Sequence, residues 1–483
     1  MVGRMINRTF VLSHYRFMSL SQREIQHFLL RTGFGQSPLE VKNLMGSSRA
    51  SLVESAFSQA KSSAPLNVIP NPLANGREAS NLKVLRMILK SKKETERLNK
   101  AWIKRMAESD SPLLEKMTFF WHDHFATSMS LAYLIQVQHN TIRKHALGNF
   151  RQMLHAMAKD PAMLLFLNGQ QNRKGHPNEN FAREVMELFT LGIGNYSEKD
   201  VQEAARAFTG WHVNRSGAFA FNEKDHDDGQ KTVLGRTGRF RGEEILEMLL
   251  ESRTTARYIC SKIYRFLVNN TESESFVNEM TDVFIRSGLD ISAVVKHVLL
   301  SNEFYREENI GCRIASPVEL LVRYLRVFRL KFKNDNQLLA LQRSLSQVLF
   351  YPPNVSGWGS QRDWVDGTSL LLRMRLPLLL LAEGEQLPSA KSDPDMEEAE
   401  MVEETENRGA WIKPESDWTG LESVLQGIPS VRWPEIIVSY LIQRDIAKND
   451  LDLLTDQSGK ESGPALMRAL TMNTLTLPEF QLI

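Results

Sequence analysis

The sequence predicts a mainly α fold, a multi-helix globular body with a small β-hairpin insertion. Three observations point there. Apolar residues recur at helical spacing over most of the chain, between Ser or Ser-Pro starts and Gly stops. Only Trp211 to Asn222, with Ser216-Gly217 inside it, gives a good hairpin signal. Hydrophobic residues make up 42% of the 483, enough for a sizeable core.

In chain order, Ser21-Gln-Arg-Glu24 is a capping box, with Ile25, Phe28 and Leu29 as the apolar stripe behind it and Gly33 or Gly35 as the stop. Ser37-Pro38 starts another helix. Ala60 to Ser80 reads as a loop, and Asn81 to Glu108 as a long helix with a basic and acidic outer face. Ser111-Pro112 begins a helix that is apolar nearly all round and therefore buried on most sides. Helices follow near 131–147 and 149–157, then an apolar stretch from Asp160-Pro161 to Gly169. Asn178 reads as the N-cap of a helix ending before Gly192, and Ser197-Glu-Lys-Asp200 opens the next. Residues 242–349 are helical in several lengths broken at Gly288 and near Gly311. Tyr351 to Gly359 is a proline-stiffened loop. Trp433 to Ile442 and Gly463 to Met472 close the chain as helices. Leu299 to Phe304 and Leu475 to Phe480 are alike, a faint sign of two related helical units.

This divides the chain into a main helical domain (1–385, with hairpin and loop at about 211–241), an acidic linker (386–410) and C-terminal helices that pack back on the main body (411–483). The net charge of +2 exerts no general pull on nucleic acid or anionic lipid. Cys260 and Cys312 stand too far apart for a thiolate zinc motif or a disulfide framework. No secretory h-region and no run of about 18 apolar residues is present, so a cytoplasmic location without a membrane span is expected, periplasmic being the alternative. GxGxxG, GxxxxGK[ST], GxSxG and HExxH are all missing.

Candidate chemistry gathers in three places. Phe119-Phe120-Trp121-His122-Asp123-His124-Phe125 sets ionisable groups among large aromatics, where burial costs several kcal/mol unless they are paired or bound to a metal. His122 and His124 are possible ligands in type, with Asp123 as a ligand, an orienting group or a catalytic carboxylate. On a regular helix, however, an i, i+2 pair diverges by about 200°. The ordinary alternative is a core histidine bonded to a backbone carbonyl. Glu184 and Glu187 share a helix face and suit metal binding or acid–base work, with Arg183 beside them. Their ordinary alternative is a solvated face. His226-Asp227, followed by Lys231, lies in a loop that is either a third ligand source or a surface turn. Trp211, Trp358, Lys231 and Asn354 are candidates for a cofactor wall, against simple packing or loop bracing.

At these residues the chain resembles a bacterial family, domain of unknown function 1800. The resemblance rests on His27-Phe-Leu-Leu-Arg-Thr-Gly-Phe-Gly35, Phe119 to Phe125, Asn178 to Gly192, Ala207-Phe-Thr-Gly-Trp211, His226-Asp-Asp-Gly-Gln-Lys231, Ser316-Pro317, Pro352-Pro-Asn-Val-Ser-Gly-Trp358 and Pro478-Glu-Phe-Gln481. It implies a mainly helical fold and a companion protein of domain of unknown function 1501, similar to sulfatases and phosphatases. Two features depart from the family pattern: the acidic stretch Pro388 to Arg408, and Gly359-Ser360-Gln361-Arg362 in place of a more glycine- and proline-rich loop.

Two functional readings follow. In one, His122, His124, Glu184, Glu187, His226 and Asp227 converge on Fe, Mn or Zn in a metal-dependent oxidoreductase, preferred over a hydrolase by analogy with carboxylate-bridged iron sites. In the other, the chain is a non-catalytic partner or maturation factor of the companion, and its polar clusters are packing networks.

Overall fold

The computed structural model describes residues 19–61, 64–72, 81–382, 385–386, 411–412, 414–458 and 461–483. The N-terminal stretch up to 18 and the acidic segment Pro388 to Arg408 lie outside the described residues. The fold is mainly α, and the strands form only two-stranded antiparallel sheets.

The helix starts follow the local chemistry. Ser21, Ser37 and Ser197 each accept the N–H three residues on, while Glu24, Glu40 and Asp200 reach back to the cap, so free donors at the helix ends are satisfied in pairs. The helix Arg49–Ala60 is a further element that the sequence reading did not single out.

Two hydrophobic clusters form the interior. One gathers residues from Leu20 to Tyr305, and the other joins Leu98 to Met106 with 315–350 and the C-terminal helices. The helix Pro112–His124 lies at their seam: Met117, Phe120 and Trp121 enter the first cluster and Phe119 the second. Its charged residues are buried in pairs. Glu115 meets Arg143 at 2.6 Å and Trp102 Nε1 at 3.0 Å, and Lys116 meets Glu319 at 2.5 Å. The last residues are stitched to the body by Arg313 and Ile483, which exchange backbone bonds of 3.2 and 2.8 Å.

The expected hairpin is present, with Trp211 opposite Phe221 and Val213 opposite Phe219. A second hairpin, Lys231–Val233 with Arg236–Gly238, was hidden in the sequence. Its turn puts Leu234 at φ 49° ahead of Gly235 at 76°, and a leucine in the left-handed region is no turn signal. The helix begun near Asn178 spans only Asn180–Glu187, and Glu179 rather than Asn178 is at its cap. Beyond it, Phe189 and Leu191 donate to the carbonyls of Glu184 and Met186, a widened turn that leads to Gly192 at φ 81°.

Candidate functional site

His122, Asp123 and His124 end the seam helix, and the α-helical period sends the three side chains in different directions. His122 faces the second cluster, with its ring 5.1 Å from Trp102, 5.0 Å from Phe350 and 5.4 Å from Trp358. Its Nε2 accepts the Phe350 N–H at 3.2 Å. Burial pushes its pKa down to about 3, so the ring is neutral and free to accept. Trp102 also packs on His139, another buried histidine, 4.3 Å away.

Asp123 is mostly but not fully buried and accepts the Trp358 N–H at 2.8 Å. The Pro-Pro-Asn loop reaches it because Gly357, at φ 85°, has no Cβ; one there would overlap Asp123. Burial lifts the Asp123 carboxyl to about 6, against the opposing pull of the Trp358 N–H and the Lys262 charge. Asn354 braces the same loop by accepting the Ser356 N–H at 2.9 Å.

His124 turns toward the first cluster, against Trp121 and Phe125. Lys262, from the helix Arg253–Leu267, places Nζ 3.0 Å from its Nδ1. The other ring nitrogen, Nε2, is buried, and the Phe189 backbone nearby favours the protonated ring. Burial, then the Lys262 charge, holds the imidazole pKa well below its ordinary value. Burial also brings Lys262 down to about 8, although Asp123 pulls it upward. Lys262 Nζ lies 5.3 Å from the centre of the Tyr258 ring, whose hydroxyl donates to the Leu188 carbonyl at 3.1 Å.

Glu184 and Glu187 do share a face, and the charge of Glu187, after burial, raises the Glu184 pKa. Glu187 accepts from the Tyr196 hydroxyl and also raises the Tyr258 pKa. Arg183 points elsewhere and is committed to Glu198 at 2.6 Å and Glu179 at 3.0 Å. Its charge nonetheless lowers the Glu184 pKa, against burial and Glu187.

The third place is closed on itself. His226 is buried, with Nδ1 3.0 Å from the Thr209 carbonyl. Asp227 accepts from Arg206 Nε and the Gly229 N–H, both at 2.8 Å, and Arg206 holds its carboxyl down at about 2. Buried Lys231 donates to the carbonyls of Asp227 and Gly229. Trp211 packs on Phe208 at 5.1 Å and Phe219 at 5.2 Å as part of the core.

Among the described residues no group of three or more His, Cys, Asp or Glu side chains is placed to hold an ion. His122 and His124 face different clusters, and Asp227 is already matched to Arg206. Among the described residues the six expected ligands are not gathered into one ligand set. What the structure brings together is Asp123, His124 and Lys262, and Lys262 was missed. The available signal was a lysine at i+3 from Ile259 and i−4 from Phe266, on a stripe that should be apolar.

No curated protein and no solved structure matches the chain. The family model described as a protein of unknown function, DUF1800, matches residues 27–482. That is nearly the whole of the 483 residues, and it covers every motif in the three neighbourhoods. The chain belongs to the DUF1800 family of proteins of unknown function.

Proposed function

We propose that this protein is an enzyme that transfers protons, with Asp123, His124 and Lys262 as the groups involved. The observation that supports the reading is the 3.0 Å contact of Lys262 Nζ with His124 Nδ1 beside a carboxylate, where Asp123 and Lys262 are mostly but not fully buried. His124 positions the lysine: its neutral ring accepts one ammonium hydrogen and leaves the others for a substrate. Asp123 is held through Oδ1 by the Trp358 N–H, which leaves Oδ2 available as a base. With Asp123 at about 6 and Lys262 at about 8, the carboxylate can take a proton and the ammonium can give one near neutral pH.

The test is complementation of cells lacking the protein by Lys262→Met and Asp123→Asn, with melting temperatures measured beside it. Loss of function in both at unchanged stability is expected. Full restoration by either variant would remove the proposal.

A second reading, a non-catalytic partner of the companion protein, draws support from Arg183, Arg206, Asp227 and Lys231. All four are spent on bonds within the fold, as in a network that fixes packing. Co-purification with the companion that survives Glu184→Gln and Glu187→Gln would favour it.

A further inference from the structure

The first turns of the helix Asn81–Glu108 carry apolar side chains that are largely exposed. Leu82, Leu85, Ile88 and Leu89 are 59, 52, 43 and 74% exposed. The helix meets the body through another side: Ser91, Thr95 and Leu98 are buried, and Ser91 Oγ accepts the Ala132 N–H at 2.8 Å. At about 100° per residue, Leu82, Leu85 and Leu89 fall within about 60° of one another, and Ser91, Thr95 and Leu98 lie about 80° or more from them, with Ile88 on the Thr95 side. Arg86, Lys90 and Lys93 are exposed along one flank of these leucines, and Arg86 and Lys90 also rim a groove whose other wall is Ile69 to Pro72 and Leu131 to Tyr133. From Leu82 to Lys93 there are Lys83, Arg86, Lys90, Lys92 and Lys93 and no acidic residue, although the whole chain is nearly neutral at +2.

An exposed stripe of this size is costly in water. Basic side chains along its edge can extend their stems over the apolar face and keep their charges outside it. That arrangement suits the boundary between lipid headgroups and acyl chains, with the charges toward anionic headgroups. No helix among the described residues is long and apolar enough to cross a membrane, so the contact is with the surface.

We infer that the face formed by Leu82, Leu85 and Leu89, with Arg86, Lys90 and Lys93 at its edge, lies on an anionic lipid bilayer. Apolar burial supplies part of the binding and headgroup charge the rest. Binding therefore needs acidic lipid and weakens as salt screens the charges.

The test is co-sedimentation of the full chain with vesicles of phosphatidylcholine alone, or with about one-third phosphatidylglycerol. Pelleting with the anionic vesicles alone, reversed by high salt, is the expected result. Leu85→Asp/Leu89→Asp and, separately, Arg86→Gln/Lys90→Gln/Lys93→Gln should each weaken it about tenfold or more at an unchanged melting temperature. Leu371→Asp, at a residue 67% exposed elsewhere, should bind as the parent does. Equal pelleting with neutral vesicles, no pelleting, parent-like binding by both multiple variants, or retention on an acidic peptide without vesicle binding would each overturn the inference.

Discussion

Lys262 Nζ stands 3.0 Å from His124 Nδ1, so a charged donor and a neutral imidazole share one hydrogen bond at the end of the seam helix. The contact sets the tautomer: Nδ1 accepts, and the ring proton sits on Nε2, on the side of the Phe189 backbone. It also makes Lys262 unlike an ordinary surface lysine.

Lys262 should therefore react with an amine-specific reagent with a midpoint near about 8, below the ordinary lysine value of 10.5. The Asp123 charge raises the Lys262 pKa, so Asp123→Asn should move that midpoint further down. The folded state holds fewer protons on Lys262 between those values, and its contribution to stability rises with pH across that window. Site-resolved labelling by mass spectrometry measures the midpoint; an unshifted lysine would contradict the geometry.

Gly357→Ala should destabilise the protein by about 1–3 kcal/mol, because a left-handed position receives a Cβ that overlaps Asp123. Denaturant unfolding reads the loss. Removing the overlap with Asp123→Gly in the same chain should recover less than all of it, since the backbone strain remains.

Glu319→Gln should cost about 3–5 kcal/mol, since it leaves Lys116 and Arg313 buried without their shared carboxylate. Lys116→Met should cost less, because Glu319 keeps Arg313 and the Ser316 N–H. After the opposing effect of burial, Lys116 and Arg313 hold the Glu319 carboxyl at about 2, below its ordinary 4.5. The stabilisation is present above 4.5 and is lost as pH falls toward 2. Acid unfolding of the parent and of Glu319→Gln should accordingly converge at low pH.

His122→Ala should leave the metal content of the purified protein unchanged while lowering stability by about 2–4 kcal/mol, from the cavity against Trp102 and the orphaned Phe350 N–H. Elemental analysis and melting on the same samples separate the two effects. A metal content that falls with the substitution would restore the ligand role.

Much of the architecture was readable in the residue order. Ser21, Ser37 and Ser197 announce their helices because a cap acts within one turn. The first hairpin showed through its alternation, whereas the second did not, because Leu234 holds a backbone angle that glycine or asparagine would have advertised. The candidate site was half legible. The aromatic run flagged Asp123 and His124, but Lys262 lies 138 residues beyond His124 and joins them only through helix packing.

Taken alone, the order of residues determined the helical class, most element starts, the family and the presence of buried ionisable groups, since these depend on side chains a few positions apart. Which of those groups meet was decided only in three dimensions. Helical period separates His122 from His124, and Arg206 claims Asp227. The packing of the helix Arg253–Leu267 brings Lys262 to a histidine it does not neighbour in the chain. Burial then sets their charges, because the cost of a charge depends on what surrounds it in the folded protein.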